Sequence, residues 1–212
     1  PDAIAWLDAT HVATANEDAN SVSVLLSNGD GSFRAKRDYA TGRGTRSVAI
    51  ADVNGDDKPD LVTAKTGDAN GISVLLNTGD GTFQAKRDFG PGLVSFDLAV
   101  GDLNGDSKAD LATVNETVIG NPGLTVFLNA GDGTFPAKHE YATFFEPYSI
   151  EIGDVNGDGK ADLVETYSHK ETGPTVLVYL NRGQGRFRGV RGPSVHGDWA
   201  GGPHVAIGDL NG

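Results

Sequence analysis

The nine residues Asp52-Val53-Asn54-Gly55-Asp56-Asp57-Lys58-Pro59-Asp60 carry a pattern that returns along the chain. The pattern is D-x-N-G-D-x-x-x-D, which places oxygen-bearing side chains at positions 1, 3, 5 and 9. Complete copies occupy residues 102–110 and 154–162, and a fourth copy begins at 209–212, where the sequence ends. The repetition indicates that the chain consists of similar units, each organised around one such loop.

The pattern matches the ligand requirements of Ca²⁺, which binds 6–8 oxygen atoms at about 2.3–2.6 Å. Positions 1, 3, 5 and 9 supply side-chain oxygens, position 7 supplies a backbone carbonyl, and glycine at position 4 permits a tight bend. The sequence therefore predicts three calcium sites and a truncated fourth. The predicted ligands are Asp52, Asn54, Asp56, Lys58 and Asp60; Asp102, Asn104, Asp106, Lys108 and Asp110; Asp154, Asn156, Asp158, Lys160 and Asp162; and Asp209 and Asn211.

The alternative interpretation of each loop is a solvated acidic turn, because Asn-Gly and Gly-Asp are common turn dipeptides. Three complete copies in register, each followed by an apolar run, favour the calcium interpretation. An EF-hand is excluded, since the ligand set closes at position 9 rather than at a glutamate at position 12, and strand-like segments flank the loop.

Composition narrows the function classes. The 212 residues have a formal net charge of −12 and contain no basic tract, so the sequence argues against nucleic acid as a partner. Cysteine is absent, so the redox compartment cannot be inferred. No apolar run reaches the ~18 residues that predict a membrane span. Methionine is also absent, and we expect the chain to be a piece of a longer protein.

A second recurring motif, Asn-x-Gly-Asp-Gly-x-Phe, sets the period of the repeat. Complete copies end at Phe83 and Phe135, and variants with Ser27 in place of asparagine or Gln184 in place of aspartate end at Phe33 and Phe187. The four phenylalanines follow in steps of 50, 52 and 52 residues. Within one period, short apolar segments at 47–51, 61–64 and 72–76 and a polar segment at 83–89 predict four strands. The period and the absence of helical periodicity predict an all-β fold, a β-propeller of four-stranded antiparallel blades.

The predicted blades form a single repeat region over residues 1–212. They span 1–46, 47–95, 96–147 and 148–203, and a further blade starts at 204–212. In the first blade, Trp6 takes the place of Asp52 and His11 that of Asp60, so this blade is expected to lack a metal and to hold an apolar plug or a ligand pocket. Four blades and one strand do not close a ring, and we expect a larger ring or self-association through open blade edges.

The loops, the period and the Phe-Gly of Phe89-Gly90-Pro91-Gly92 resemble the FG-GAP/VCBS repeats of integrin-α-type β-propellers. The resemblance implies structural Ca²⁺ in the loops and a ring of about seven blades. It also implies adhesion, lectin-like binding or an accessory role beside polysaccharide-degrading enzymes. The sequence departs from the family pattern in its first blade, which lacks the ligand set, and in lacking the phrase Gly-Ala-Pro.

The sequence favours a secreted or cell-surface module that binds a glycan or protein through its propeller-face loops. Modest-affinity calcium loops suit extracellular calcium concentrations. Candidate ligand-binding aromatic residues interrupt the repeat, although packing between blades also explains them; they are Phe144, Phe145, Tyr148, Tyr167, His196 and Trp199. The alternative is the propeller of a polysaccharide-active lyase or hydrolase, with Glu151 or Glu165 as the unusual carboxyl groups.

Overall fold

The structure is a computed structural model that describes residues 3–8, 11–67, 70–117, 122–143, 146–168, 175–194 and 205–207. These residues form four antiparallel sheets of four strands, and strands adjacent in the sequence are neighbours in each sheet. We number the sheets as blades 1 to 4 in chain order. In this part of the chain, no helix is long and apolar enough to cross a membrane.

Each blade is a simple up-and-down succession of strands. Blade 1 consists of β1 to β4, at Ala3–Asp8, His11–Asn16, Ser21–Leu26 and Arg37–Ala40. Blade 2 consists of β5 to β8, at Thr45–Ala51, Asp60–Lys65, Asn70–Leu75 and Arg87–Pro91. Blade 3 consists of β9 to β12, at Leu93–Gly101, Asp110–Thr117, Pro122–Leu128 and Ala137–Ala142. Blade 4 consists of β13 to β16, at Glu146–Gly153, Asp162–Ser168, Thr175–Asn181 and Phe187–Ser194.

The first three strands predicted for blade 2 coincide with β5, β6 and β7, but the fourth begins later than predicted. Phe83 forms only an isolated bridge with Asn77, and regular pairing resumes where Val74 faces Arg87. The reason is the preceding turn, in which the Thr78 N–H donates to the Thr82 carbonyl at 3.0 Å and directs Phe83 toward blade 1. The polar segment after Phe83 therefore joins the turn to β8.

Successive blades pack face to face around three apolar clusters. Blades 1 and 2 share a cluster that includes Ala13, Val22, Val24, Val48, Leu61 and Leu75. Blades 2 and 3 share one that includes Val62, Ile72, Val74, Leu98, Leu111 and Phe127. Blades 3 and 4 share one that includes Ala112, Val114, Leu124, Val126, Ile150 and Leu163. Both faces of a middle blade are thus buried, which explains why its inner strands read as continuous apolar runs.

The phenylalanine that ends each Asn-x-Gly-Asp-Gly-x-Phe turn contacts an aromatic ring on the outer strand of the preceding blade. The pairs are Phe83 with Tyr39, Phe135 with Phe89, and Phe187 with Tyr141, with ring centroids 5.1, 5.3 and 6.2 Å apart. All three are close to edge-to-face, which is a favoured aromatic geometry. Phe33 of blade 1 is 40% exposed, because no described blade precedes it.

The first strands of the blades lie side by side around a central cavity of about 800 Å³. Their approach is close at two glycines: a Cβ atom on Gly101 would lie 3.3 Å from Ile152, and one on Gly153 would lie 2.9 Å from Ile207. Ile207 therefore packs on blade 4 as Ile152 packs on blade 3. Residues 205–207 are the described part of the segment 204–212, and the further blade that the sequence predicts there stays a prediction.

Blade 1 differs from the sequence prediction at its first connection. Trp6 does not take the place of Asp52 in a loop, since it lies within β1 and pairs with Val12. His11 does take the place of Asp60, since each is the first residue of the second strand of its blade. The prediction for Trp6 was wrong because only two residues separate β1 from β2, whereas eight separate β5 from β6. Trp6 therefore takes the place of Ile50.

Candidate metal centres

The three D-x-N-G-D-x-x-x-D loops join the first and second strands of blades 2, 3 and 4. Position 1 organises each loop from within: Oδ1 of Asp52 accepts hydrogen bonds from the N–H groups of Asn54, Gly55 and Asp56 at 3.1, 2.7 and 3.3 Å. Oδ2 accepts one from the N–H of Asp57 at 2.7 Å. Asp102 and Asp154 make the equivalent sets. A carboxylate at position 1 therefore shapes the loop as well as offering metal ligands.

Two positions of each loop adopt a left-handed backbone. Gly55 at position 4 has φ of +76°, as the sequence predicts, and Asp57 at position 6 has φ of +60°. The equivalents of Asp57 are Ser107 and Gly159, at +64° and +80°. Sequence reasoning missed position 6, although the glycine in the third copy was a signal of this backbone requirement.

The aspartate at position 9 closes each loop from beneath. Asp60 is fully buried, and its two oxygens accept hydrogen bonds from the N–H groups of Val53 and Asn77 at 3.1 and 2.7 Å. Burial raises the pKa of Asp60 above its usual value, and the charges of Asp56 and Asp52 add to the effect. Asp110 has the same partners in blade 3 and a pKa raised for the same reasons. A cation placed among these carboxylates would relieve their mutual repulsion.

The donor set of the second loop fits a calcium ion. Carboxylate oxygens of Asp102, Asp106 and Asp110 lie within 4.8 Å of one another. Two ligands on opposite sides of a calcium ion are separated by twice the Ca–O distance, or about 4.6–5.2 Å. The three oxygens can therefore belong to one coordination sphere, and the residues that would complete it are Asn104 and the carbonyl of Lys108.

The lysine at position 7 has a role that the sequence did not indicate. Its ammonium group turns back to the carboxylate at position 5 of the same loop. The Nζ–Oδ2 distances are 3.2 Å for Lys58 with Asp56, 3.5 Å for Lys108 with Asp106, and 3.3 Å for Lys160 with Asp158. The side chain thus compensates part of the negative charge of the loop, while the carbonyl of the same residue stays available as a ligand. The truncated fourth loop, with Asp209 and Asn211, lies outside the described residues.

The candidate ligand-binding aromatic residues are not brought together in the described part of the chain. Tyr148 is half-buried and lines the central cavity. Tyr167 is only 2% exposed, so its ring packs inside the protein. The others lie outside the described residues; they are Phe144, Phe145, His196 and Trp199.

The central cavity contains polar and charged groups that break the repeat. Asp97 joins blades 3 and 4 there, because its Oδ2 accepts a hydrogen bond from the N–H of Ile150 at 3.1 Å. Glu151 lines the same cavity, and burial and the charge of Asp97 raise its pKa. Arg46 places its guanidinium 5.7 Å from the centroid of the Phe96 ring. With Glu17, which also lines it, the cavity offers three carboxyl groups, a cation and aromatic surface.

Glu165 is the most unusual buried group among the described residues. Its side chain is fully buried, and neither carboxylate oxygen accepts a hydrogen bond of good geometry from a described residue. Burial raises the pKa of Glu165 to about 7, with a smaller lowering from the nearby Tyr179 hydroxyl. Glu165 faces blade 3 rather than the cavity, since it shares a face of β14 with Leu163.

Comparison with protein families identifies the repeat. The family model described as FG-GAP-like repeat matches residues 10–63, 52–113 and 116–165, which together cover most of the chain. The chain belongs to the FG-GAP-like repeat family. Every segment that matches this FG-GAP-like repeat contains at least one complete D-x-N-G-D-x-x-x-D loop. No curated protein matches the chain in a sequence search.

Proposed function

We propose that this FG-GAP-like repeat chain is a calcium-stabilised extracellular module that binds a glycan or a protein partner. The observation that carries the proposal is the convergence of Asp102, Asp106 and Asp110 within the diameter of one calcium coordination sphere. The same loop geometry recurs in blades 2 and 4 around Asp52 and Asp154. Calcium in these loops is structural, because side chains and one carbonyl of the loop fill most of the coordination shell.

Paired variants of the first loop test the calcium sites. Asp56→Ala removes the carboxylate at position 5, whereas Asp57→Ser removes the same charge from position 6 and copies the residue found at Ser107. We expect calcium titration calorimetry to show one site fewer for Asp56→Ala and an unchanged number of sites for Asp57→Ser. If the folded wild-type protein releases no heat and gains no thermal stability with calcium, the loops are plain acidic turns.

The central cavity is the ligand site that we favour within this function. Tyr148 and Phe96 offer aromatic surface, and Arg46, Asp97 and Glu151 offer hydrogen-bonding and charged groups beside it. Aromatic faces with adjacent polar groups suit sugar rings as well as inserted side chains of a partner. Binding to a broad glycan array, in calcium and with chelator, separates the two classes. A sugar that binds only in calcium supports a lectin, and no sugar bound by the folded protein supports a protein partner.

A second candidate function is catalysis on polysaccharides, and the carboxyl pair of Asp97 and Glu151 is the observation that favours it. A carboxyl group with a raised pKa beside an ionised one is the arrangement of a general acid with its partner. Incubation with polysaccharides, followed by a measurement of new reducing ends and of unsaturated sugar products, tests this function. Glu151→Gln should abolish such products and leave the calcium titration unchanged.

We further propose that the protein is secreted or displayed at the cell surface, where calcium at millimolar concentration would fill loops of modest affinity. Self-association through the outer blade edges is part of the proposal, because a strand at the edge of a sheet has unpaired backbone groups. Light scattering during size-exclusion chromatography measures the molar mass. A single species at 22.0 kDa over a wide concentration range would exclude self-association.

A further inference from the structure

Each of the first two metal loops lies against a turn of the blade that follows it. In blade 3, Nδ2 of Asn129 donates a hydrogen bond to the carbonyl of Val53, in the loop of blade 2, at 2.9 Å. The N–H of Gly133 donates to the same carbonyl, also at 2.9 Å. In blade 4, Nδ2 of Asn181 repeats the contact with the carbonyl of Leu103 at 3.0 Å. The residue between positions 1 and 3 of a loop is thus held by the next blade.

The same asparagines are bonded to the metal loops of their own blades. The backbone N–H of Asn129 donates to Oδ1 of Asp110 at 2.8 Å, and its Nδ2 also donates to the carbonyl of Ala109 at 2.9 Å. Asn181 donates in the same way to Asp162 at 2.8 Å. Asn129 therefore joins the first loop to the second, and Asn181 joins the second loop to the third.

The side-chain amides of these asparagines are buried and fully bonded. Asn129 is 5% exposed and Asn181 is 6% exposed. Both Nδ2 hydrogens of Asn129 are used on carbonyl oxygens, and its Oδ1 accepts a hydrogen bond from the N–H of Gly131 at 2.7 Å. The amide can therefore adopt only one orientation, so a displacement of one loop is passed to the other through a rigid group.

We propose that Asn129 and Asn181 are positioning residues that couple successive metal loops, so that the loops bind Ca²⁺ with positive cooperativity. The inference rests on the calcium sites proposed above. Binding at the second loop fixes Asp110, which holds Asn129, which in turn holds Val53 between two ligands of the first loop. A second ion then binds a loop that is already ordered, and this ordering is a source of coupling free energy.

The third loop differs from the other two in the support it receives. Val155, at its position 2, is 43% exposed, whereas the equivalent Val53 and Leu103 are 1% and 0% exposed. In the described residues, no turn of a following blade covers Val155. Among the described residues, the third loop is therefore coupled to one other loop, the second, through Asn181.

The experiment is a calcium titration followed by ¹⁵N NMR, with the glycine at position 4 of each loop as a separate reporter. These glycines are Gly55, Gly105 and Gly157, and the N–H of each donates to the aspartate at position 1. Asp158→Ala disables the third site. We expect this variant to weaken calcium binding at the Gly105 site about 10-fold, within the usual range of coupling between sites.

The bridging residue is tested by repeating the comparison in an Asn181→Ala background. If Asn181 couples the loops, Asp158→Ala has no further effect on calcium affinity at the Gly105 site in the Asn181→Ala protein. If Asn181 is merely structural, the affinity falls overall, but the 10-fold ratio of the affinities without and with Asp158→Ala is unchanged. Asn181→Asp, which keeps the shape and loses both donors, serves the same purpose if the alanine variant does not fold. Asn77→Ala is the control, because Nδ2 of Asn77 donates to the Pro59 carbonyl within its own blade.

The outcomes separate this inference from the proposed function. If all three glycines report calcium binding, but Asp158→Ala leaves the affinity at the Gly105 site unchanged, the loops are independent. That result overturns the coupling and leaves the proposed calcium sites intact. If none of the glycines responds to calcium in the folded wild-type protein, both fail. Loss of the 10-fold ratio in the Asn181 variants and its retention in Asn77→Ala support the coupling.

Discussion

Blades 2 and 4 bury side chains of opposite charge on equivalent faces, in or beside the row that Thr63, Ser73 and Asp88 form across blade 2. In blade 2, the fully buried Lys65 places its ammonium 3.0 Å from Oδ1 of Asp88, which also accepts a hydrogen bond from the Ser73 hydroxyl at 2.5 Å. This row belongs to the face that packs on blade 1. A charge at the centre of an inter-blade contact is therefore tolerated where a partner of opposite charge stands on the next strands.

Blade 4 has no such set of partners in its described residues. Glu165 occupies the place of Thr63, and Leu177 occupies the place of Ser73. Because the carboxyl group is buried without a well-formed hydrogen bond, its pKa rises to about 7. Two blades with the same strand arrangement thus bury an ionisable group in different ways. Blade 2 pairs Lys65 with an opposite charge, whereas blade 4 favours the protonated form of Glu165, and only the second solution depends on pH between about 4.5 and 7.

The largest expected effect is the loss of the blade 2 pair. Asp88→Asn removes the carboxylate that lies 3.0 Å from the buried Lys65 ammonium, and because Asp88 is itself 29% exposed we expect a cost of about 3–4 kcal/mol, in the lower part of the range for breaking a buried pair. Urea unfolding at pH 7 measures the change in free energy. Asp38→Asn is the matched control, because Asp38 stands in the same row of blade 1 but is 49% exposed and paired with exposed Lys36. We expect it to cost about 1 kcal/mol or less, and equal losses in both variants would remove the distinction.

The next effect is the pH dependence of blade 4. The pKa of Glu165 is about 7 in the folded protein and 4.5 as its ordinary value, so the folded state holds the proton more tightly. The free energy of unfolding therefore falls as pH rises from about 4.5 to 7, by roughly 3 kcal/mol, and levels off above. Glu165→Gln should remove this part of the slope. Glu140→Gln, at a 57% exposed side chain, should leave it unchanged, and parallel curves for wild type and Glu165→Gln would contradict the assignment.

A smaller difference is expected between the metal loops of the two blades. The loop of blade 2 is covered by blade 3, and that of blade 4 is exposed at Val155. In saturating calcium, we expect Asp56→Ala to lose about 2–3 kcal/mol and Asp158→Ala about 1 kcal/mol, since an ion in the covered loop also stabilises the contact of that loop with blade 3. Thermal unfolding with calcium and with chelator measures both. Losses that persist undiminished in chelator would show that the carboxylates, and not the ion, are responsible.

The smallest effect is expected when the Ser73 hydroxyl of blade 2 is introduced at the equivalent Leu177 of blade 4. Leu177 pairs directly with Glu165 across the strands, so Leu177→Ser offers the carboxylate a donor like that of Ser73. A hydrogen bond to the charged form lowers a carboxyl pKa, and we expect the pKa of Glu165 to fall by about one unit. Carbon-13 NMR of the carboxyl group follows the titration directly. An unchanged pKa would mean that burial alone sets it, whatever the neighbouring hydroxyl.

Much of this fold could be predicted from the sequence because each repeat carries its own local signals. The spacing of the loops and of Phe83, Phe135 and Phe187 gave the blades, although the first strands begin at Thr45, Leu93 and Glu146, two or three residues before the predicted boundaries. Turn residues and strand patterns act within a few positions, so a single copy reveals them. The calcium ligands and the ligand-binding aromatic residues stay predictions.

Contacts between repeats could not be inferred in the same way. Asn129 and Asn181 read as turn residues, and only the structure shows that each donates to a carbonyl about 76–78 positions earlier in the chain. Trp6 was misplaced because a shortened connection leaves no local mark of the register shift. Glu165 stood out as a departure from threonine, but its lack of partners depends on residues from two neighbouring strands and the adjoining blade.

The turn of each blade, with its asparagine and phenylalanine, has consequences for how such a protein evolves. Blades 2 and 3 each carry both halves of a head-to-tail joint: a turn that contacts the blade before, and an outer-strand ring and loop carbonyl that contact the blade after. A tandem duplication of the gene segment therefore supplies a copy that already fits its neighbour, with no compensating mutation. Blade number can change in single genetic events, while the residues of one joint diverge only as a matched pair.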